Sequence, residues 1–260
     1  MTRLIAVVPV FNEQKTLKNV LRRIHGQVDF LVCVNDGSGD SSLEILWKFS
    51  RRYKKTFIVD LPSNVGMAGA LKQGFLFVLY LRRRKLIGDD DVIVTIDADG
   101  QHKPEYIRRL ARYMERQKAD VVLTRRNFSV YPLYKILGNR FLTWTNSRLA
   151  GFKYQDVESG LRLLRVRVLE KILAYYTGVK YSCAQEIALI CARLGCRIDN
   201  AYRVDIAYYR AGTTVWDGFI VLALSFYTFF RLVFKMKEDR NEDLSLMKTS
   251  FEHSKKNWRK

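Results

Sequence analysis

At 260 residues the chain can bury one large core, or one domain with an appendage. Its 45 Lys and Arg against 26 Asp and Glu leave a net charge of +19. That excess points to an anionic partner such as a nucleic acid, an anionic membrane or a phosphorylated substrate, and says nothing about fold. The four cysteines lack the paired spacing of a metal site, so a reduced compartment is the simpler expectation.

The amino terminus carries one arginine and then a short apolar stretch broken by Pro9, Asn12 and Glu13, which reads as a first strand rather than a signal peptide. Strands are expected near Leu4–Val8, Phe30–Val34, Thr56–Asp60, Val92–Ile96 and Asp120–Thr124. Between them Leu17, Val20, Leu21 and Ile24 recur at helical spacing, as do Leu71, Phe75, Val78 and Leu79, and then Ile107, Leu110, Ala111 and Met114. This alternation predicts an α/β fold with a mostly parallel sheet flanked by helices. Leu133–Leu149 and Ala184–Leu194 read as further helices, and Cys196–Ile206 as extended chain returning to the sheet. Gly218–Phe230 holds no charge but is too short to cross a bilayer, which needs about twenty apolar residues. A membrane-interface helix over 214–236 is one reading of it, a docking site for a small membrane subunit is another, and a spanning or core helix is the third. The last residues, 237–260, are expected to form a charged, loosely docked tail.

Chemistry concentrates where the strands end. Val92–Gln101 is an apolar run closing on Asp97 and Asp99, whose side chains, two apart on extended chain, point the same way. With Gln101 in register, both carboxylates can address one hard cation, Mg²⁺ or Mn²⁺, that leaves positions for phosphate oxygens. The plainer alternative is an Asp-rich turn before the helix at Pro104, and His102 is expected to belong to that helix start rather than to the site. The first two strands end in Val8–Glu13 and Val34–Asp40, where Glu13 and Asp36 can accept hydrogen bonds from a base or ribose. Helix caps and turns would use the same residue types. Parallel topology makes all three acidic loops converge.

The succession Pro9-Val10-Phe11-Asn12-Glu13, Asn35-Asp36-Gly37-Ser38, Asn64-Val65-Gly66 with Ala70–Gly74, and Asp97-Ala98-Asp99-Gly100-Gln101-His102 resembles the inverting family-2 glycosyltransferases of GT-A (Rossmann-like) fold. Gln101 and the later Ser159-Gly160-Leu161-Arg162 are similar to the dolichol- and polyprenyl-phosphate sugar transferases. The resemblance implies a catalytic domain over 1–213. It also implies a nucleotide pocket lined by Pro9, Phe11, Glu13, Val34 and Asp36, and a metal and diphosphate held by Asp97, Ala98, Asp99 and Gln101. Arg125 and Arg210 match arginines that contact phosphate. Two departures stand out: no lysine follows Arg210 closely, and near Leu137 only Lys135 and Arg140 replace an expected arginine.

The resulting expectation is a metal-dependent transferase moving a sugar from a nucleotide-diphosphate sugar to a polyprenyl or dolichyl phosphate, at the cytoplasmic face of an anionic membrane. A lipid phosphate is already anionic and needs only positioning, for which Arg125, Arg140, Arg162 and Arg210 are available. A hydroxyl acceptor would need a general base, and Asp156 and Glu158 are the candidates. A basic nucleic-acid-binding protein is the remaining alternative, but no nucleic acid is expected, because the motifs that would support it are missing.

Overall fold

The apolar runs become inner strands because helices cover both faces of the sheet. The computed structural model describes residues 2–207, 215–237 and 243–258. In chain order, β1 (Leu4–Val10), α1 (Leu17–His25), β2 (Phe30–Asp36), α2 (Ser42–Arg52), β3 (Thr56–Leu61), α3 (Met67–Arg83) and β4 (Val92–Thr95) build the first part of the fold. They are followed by α4 (Ile107–Arg116), β5 (Val121–Leu123), β6 (Arg125–Arg126), α5 (Leu133–Ala150), β7 (Arg162–Arg165), α6 (Val166–Leu173) and α7 (Cys183–Arg193). Short strands β8 (Ile198–Asp199) and β9 (Arg203–Val204) precede α8 (Val215–Val233) and α9 (Leu244–Trp258).

The main sheet has seven strands in the order β3-β2-β1-β4-β7-β5-β8, and β6 pairs with β9 in a separate ribbon. β1 pairs in parallel with β2 and β4, and β2 with β3. β7 is antiparallel to both β4 and β5, so it enters the sheet from the edge that carries the acidic loops. Its arrival there is what brings Gly160 and Arg162 beside Asp97. Side-chain alternation divides the interior in two: Val7, Val34, Phe75 and Ile187 pack on one face, and Val8, Leu17, Leu21 and Leu110 on the other.

α9 is a finding that the charged composition of the terminus concealed. Met247, Phe251, Ser254 and Trp258 fall on one helical face, which docks against β3, the end strand of the sheet. Ser254 Oγ accepts from Ile58 N at 3.1 Å, and Trp258 Nε1 donates to Thr56 O at 3.1 Å. Phe251 stacks on Phe57 with ring centroids 5.7 Å apart. Side chains therefore occupy edge groups that would otherwise be open to another strand. The loosely docked tail expected from sequence is corrected over this stretch.

Phe251 is 2% exposed, so Phe251→Ala removes a fully buried ring from that contact. An expected loss of about 3 kcal/mol is measurable by urea denaturation, and a change below about 0.5 kcal/mol, typical of surface positions, would show that α9 contributes nothing to the fold.

Candidate active site

The carboxyl ends of β1, β2, β3 and β4 share one edge, and their loops are laced together there. Thr16 Oγ1 lies 2.8 Å from Glu13 Oε2 and 3.1 Å from Ala98 O, tying the loop after β1 to the loop after β4. Asn12 reaches the loop after β2 through Ser38 Oγ and Gly39 N, and Gln14 N donates to Asp40. Asp36 is buried and accepts from Val65 N at 2.7 Å and Gly66 N at 3.0 Å, which fastens the loop after β3. Gly37 makes this closeness sterically allowed: its φ is +64° and a Cβ would sit 2.7 Å from Asn64 N.

The residues assigned to a nucleotide pocket are thus brought together, though not all in the same manner. Phe11 is exposed at the mouth, and Pro9 and Glu13 are half-buried. Val34 is fully buried and its side chain belongs to the core. Asp36 uses its carboxylate to hold backbone N–H groups, with lone pairs remaining for a ligand hydroxyl.

At the end of β4, Asp97 and Asp99 are half-buried and close enough to repel one another. Burial pushes the Asp97 carboxyl up against the opposing pull of Arg162 and Arg126. Burial and the charge of Asp97 do the same to Asp99, despite hydrogen bonds from Gln101 N at 2.9 Å and Gln101 Nε2 at 2.7 Å. With its amide nitrogen so engaged, Gln101 presents its amide oxygen as the remaining donor atom. Two carboxylates and one amide oxygen form an oxygen set that suits Mg²⁺ or Mn²⁺ if a ligand's phosphates complete the shell. Among the described residues no group of three or more His, Cys, Asp and Glu side chains could hold a metal alone, so the fit depends on that ligand.

Arg162 lies opposite Thr95 of β4 and Leu123 of β5, and is only 3% exposed. Its nearest electrostatic influence is on Asp97, yet no hydrogen bond or ion pair to the described residues holds its guanidinium. A buried guanidinium with no hydrogen bond to the described residues is costly. Gly160 sets its approach: Thr95 Oγ1 donates to Gly160 O at 2.9 Å, and a Cβ on Gly160 would fall 2.2 Å from Asp97 Oδ2.

Two residues that sequence reasoning set aside or missed belong to this cluster. His102 does not begin a helix; it is buried, bridges to Ile206, and burial pushes its imidazole down to about 4, so it is neutral at pH 7. Its Nδ1 is buried without a partner, as is Glu158 Oε1. Arg126, next to the expected Arg125, is the arginine turned inward: it pairs with Asp156 (Nε–Oδ2 2.8 Å, Nη2–Oδ1 2.9 Å) and donates to Asn139 Oδ1 at 2.6 Å. Arg125 is half-buried and donates to Gln155.

The two candidate bases differ in the same way. Burial would raise the Asp156 carboxyl, but Arg126 and the N–H groups of Arg126 and Glu158 outweigh it and hold it below the usual range. Asp156 is committed to that ion pair, while burial raises Glu158. Arg140 is exposed on α5 and Arg210 lies outside the described residues.

The sequence profile of glycosyl transferase family 2 matches residues 5–173. Over 202 residues the chain is 28% identical to a UDP-N-acetylglucosamine–dolichyl-phosphate N-acetylglucosaminyltransferase of Methanococcus voltae, covering 71% of this chain and 78% of that one. It is 33% identical over 175 residues to an undecaprenyl-phosphate 4-deoxy-4-formamido-L-arabinose transferase of Pseudomonas syringae, covering 65% of this chain and 49% of the relative. The fold is similar to that of glucosyl-3-phosphoglycerate synthase from Mycobacterium tuberculosis, crystallised with Mn²⁺, UDP and glucosyl-3-phosphoglycerate. The TM-score there is 0.62 at 17% identity, covering 89% of this chain and 80% of that one.

Gly160→Ala is the substitution most diagnostic of this geometry. It is expected to weaken Mn²⁺ affinity in the presence of UDP about 10- to 100-fold, read by electron paramagnetic resonance, with the far-UV spectrum unchanged. Unaltered affinity would mean that Asp97 does not depend on this close approach.

Proposed function

Because the chain belongs to glycosyl transferase family 2, we propose that it transfers a sugar from a nucleotide-diphosphate sugar to a polyprenyl or dolichyl phosphate, with inversion, at a membrane surface. The observation that carries this reading is the buried Arg162 beside the Asp97–Asp99 pair, whose guanidinium makes no hydrogen bond to the described residues. It offers positive charge for an anion at the point where a donor diphosphate would lie. The named activities of the two transferase relatives support the acceptor class.

The residues divide the work. Asp36, Glu13 and the loops they fasten receive base and ribose; Asp97, Asp99 and Gln101 would hold Mg²⁺ or Mn²⁺ against the diphosphate. Such a cation supplies Lewis-acid stabilisation of the charge that develops on the leaving diphosphate. Arg162 contributes a fixed charge in a site with little water, where its effect on a developing anion is large. The acceptor phosphate oxygen forms the new bond at the anomeric carbon while the diphosphate departs with the electron pair. No proton need be removed, which fits a site whose Asp156 is already bound to Arg126. Arg125, Arg140 and Arg210 remain the candidates for holding the acceptor phosphate.

Two helices support a membrane surface. An amphipathic helix ordinarily buries its apolar stripe, but α8 and α5 are reversed. α8 turns Trp216, Phe219, Tyr227 and Phe230 outward, and buries Ser225, Thr228 and Arg231. α5 exposes Leu133, Tyr134, Leu137, Phe141 and Trp144, and buries Thr143, Thr145 and Asn146. The two helices pack on one another, so the apolar surface is shared. α8 is also longer than the charge-free core suggested: Trp216–Val233 is long and apolar enough by composition to cross a membrane, although Arg231 and its packing on α7 and α5 favour an interfacial position. Lipid-facing apolar side chains would account for both reversals, and the surplus of basic residues would favour the anionic, cytoplasmic face.

Purified protein incubated with Mn²⁺, polyprenyl phosphate and radiolabelled UDP- and GDP-sugars is expected to give an organic-extractable, acid-labile product. Arg162→Met is expected to lower its rate of formation about 100-fold or more. No lipid-linked product from any of these donors, or a water-soluble glycoside in its place, would overturn the assignment.

A further inference from the structure

The reversed helix α8 is attached to the body by polar groups, and these lead inward to the donor pocket. We propose that Glu186 is a positioning residue that couples the seating of α8 on a lipid surface to the shape of the nucleotide site. The proposal rests on the membrane reading given above.

Glu186 is fully buried on α7. Its Oε1 accepts from Thr228 Oγ1 of α8 at 3.0 Å and from Thr177 Oγ1 at 2.5 Å, and its Oε2 from Gly178 N at 3.4 Å. One carboxylate thus joins α8 to the chain between α6 and α7. That chain lies against the start of α3: Lys180 O accepts from Ala68 N at 2.8 Å, and Tyr176 OH donates to Ala68 O at 3.1 Å. Gly66, whose N–H is held by Asp36, packs closely there: a Cβ would be 3.3 Å from Lys180 Cα, a tight contact, and its φ of +84° favours glycine. On its other side the first turn of α7 approaches the reacting centre, where Cys183 feels the charges of Arg162 and Asp97. A displacement of α8 therefore reaches both Asp36 and the Asp97 cluster through packed and hydrogen-bonded groups.

The seam is also incompletely satisfied. Asn146 Nδ2 donates to Ser225 Oγ at 3.3 Å, but Asn146 Oδ1, Thr143 Oγ1 and both polar atoms of the Gln185 side chain are buried without hydrogen-bond partners among the described residues. Buried polar atoms left unpaired cost free energy, so an arrangement in which α5 and α8 shift to pair them is accessible. Lipid contact on the outer faces of these helices would bias that arrangement. Nucleotide binding would bias the same element from the other side, and the effect is reciprocal.

The test measures the affinity of UDP with Mn²⁺ (GDP if UDP does not bind) with and without vesicles of equal parts phosphatidylglycerol and phosphatidylcholine, free of polyprenyl phosphate. For the natural sequence the vesicles are expected to tighten binding at least about fivefold. Thr228→Val should abolish that gain while co-sedimenting with vesicles normally and keeping its vesicle-free affinity within about twofold. Thr228→Ser, which keeps the hydroxyl, should retain it. The coupling is overturned if vesicles leave the natural protein's affinity unchanged, if Thr228→Val keeps the gain, or if Thr228→Ser loses it. Loss of vesicle binding by Thr228→Val would overturn it too, assigning Thr228 to holding α8 in place. A natural protein that binds vesicles to no measurable extent, or neither nucleotide, would refute the transferase reading itself and this coupling with it.

Discussion

Crowding of charge around Asp97 is the constraint on which the rest of the structure depends. Two half-buried carboxylates repel one another, and a buried guanidinium stands beside them with no ion pair to the described residues. Each of these charges is costly to bury, and Arg162 offsets only part of that cost at Asp97. The fold tolerates both because strand β7 runs against its neighbours and delivers Gly160 and Arg162 to the edge where β4 ends. A cation and a diphosphate would satisfy the two defects together: the cation between the carboxylates and the phosphate oxygens, the guanidinium on the anion. The neighbouring Arg126–Asp156 pair is the complementary case, a charge pair satisfied within the protein and thus suited to support rather than reaction.

The second organising feature is reversal of polarity in α5 and α8. Threonine, serine, asparagine and arginine on the inner side, with aromatic and aliphatic side chains outside, invert the pattern of a helix that packs in water. Elsewhere the molecule follows the usual rule: α1, α3 and α4 bury Leu17, Phe75 and Leu110 against the sheet. The sheet and the helices that cover it hold most of the buried apolar core, with α9 closing the outer edge, while α5 and α8 join it through polar seam contacts and a few apolar side chains such as Ala150, Phe229 and Leu232. That arrangement would suit the proposed transfer from a soluble donor to an acceptor in lipid.

Much of this was legible in the sequence. The strands ending at Val10, Asp36 and Thr95 announce themselves as apolar runs halted by acids, and parallel topology alone requires Glu13, Asp36, Asp97 and Asp99 to meet. What escaped had physical causes. β7 is four residues long with an arginine at each end, so it reads as polar although every side chain in it is buried. Arg125 and Arg126 are adjacent, and only the register of a two-residue strand determines which one turns inward. His102 follows a turn and precedes Pro104, which suggests a helix start, but its bridge to Ile206 buries it. The apolar stripe of α5 at Leu133, Leu137, Phe141 and Trp144 is plain in the sequence; periodicity cannot tell whether such a stripe faces the core or the outside. Met247, Phe251 and Trp258 carried helical spacing as well, hidden by the charges between them.

The most direct measurement is an anomalous difference map from crystals grown with Mn²⁺ and UDP. The result expected is one manganese peak held by Asp97, Asp99 and Gln101, with the diphosphate at Arg162 and the base beside Asp36. Manganese bound elsewhere, or a diphosphate lying away from Arg162 with Asp97 and Asp99 unengaged, would contradict it.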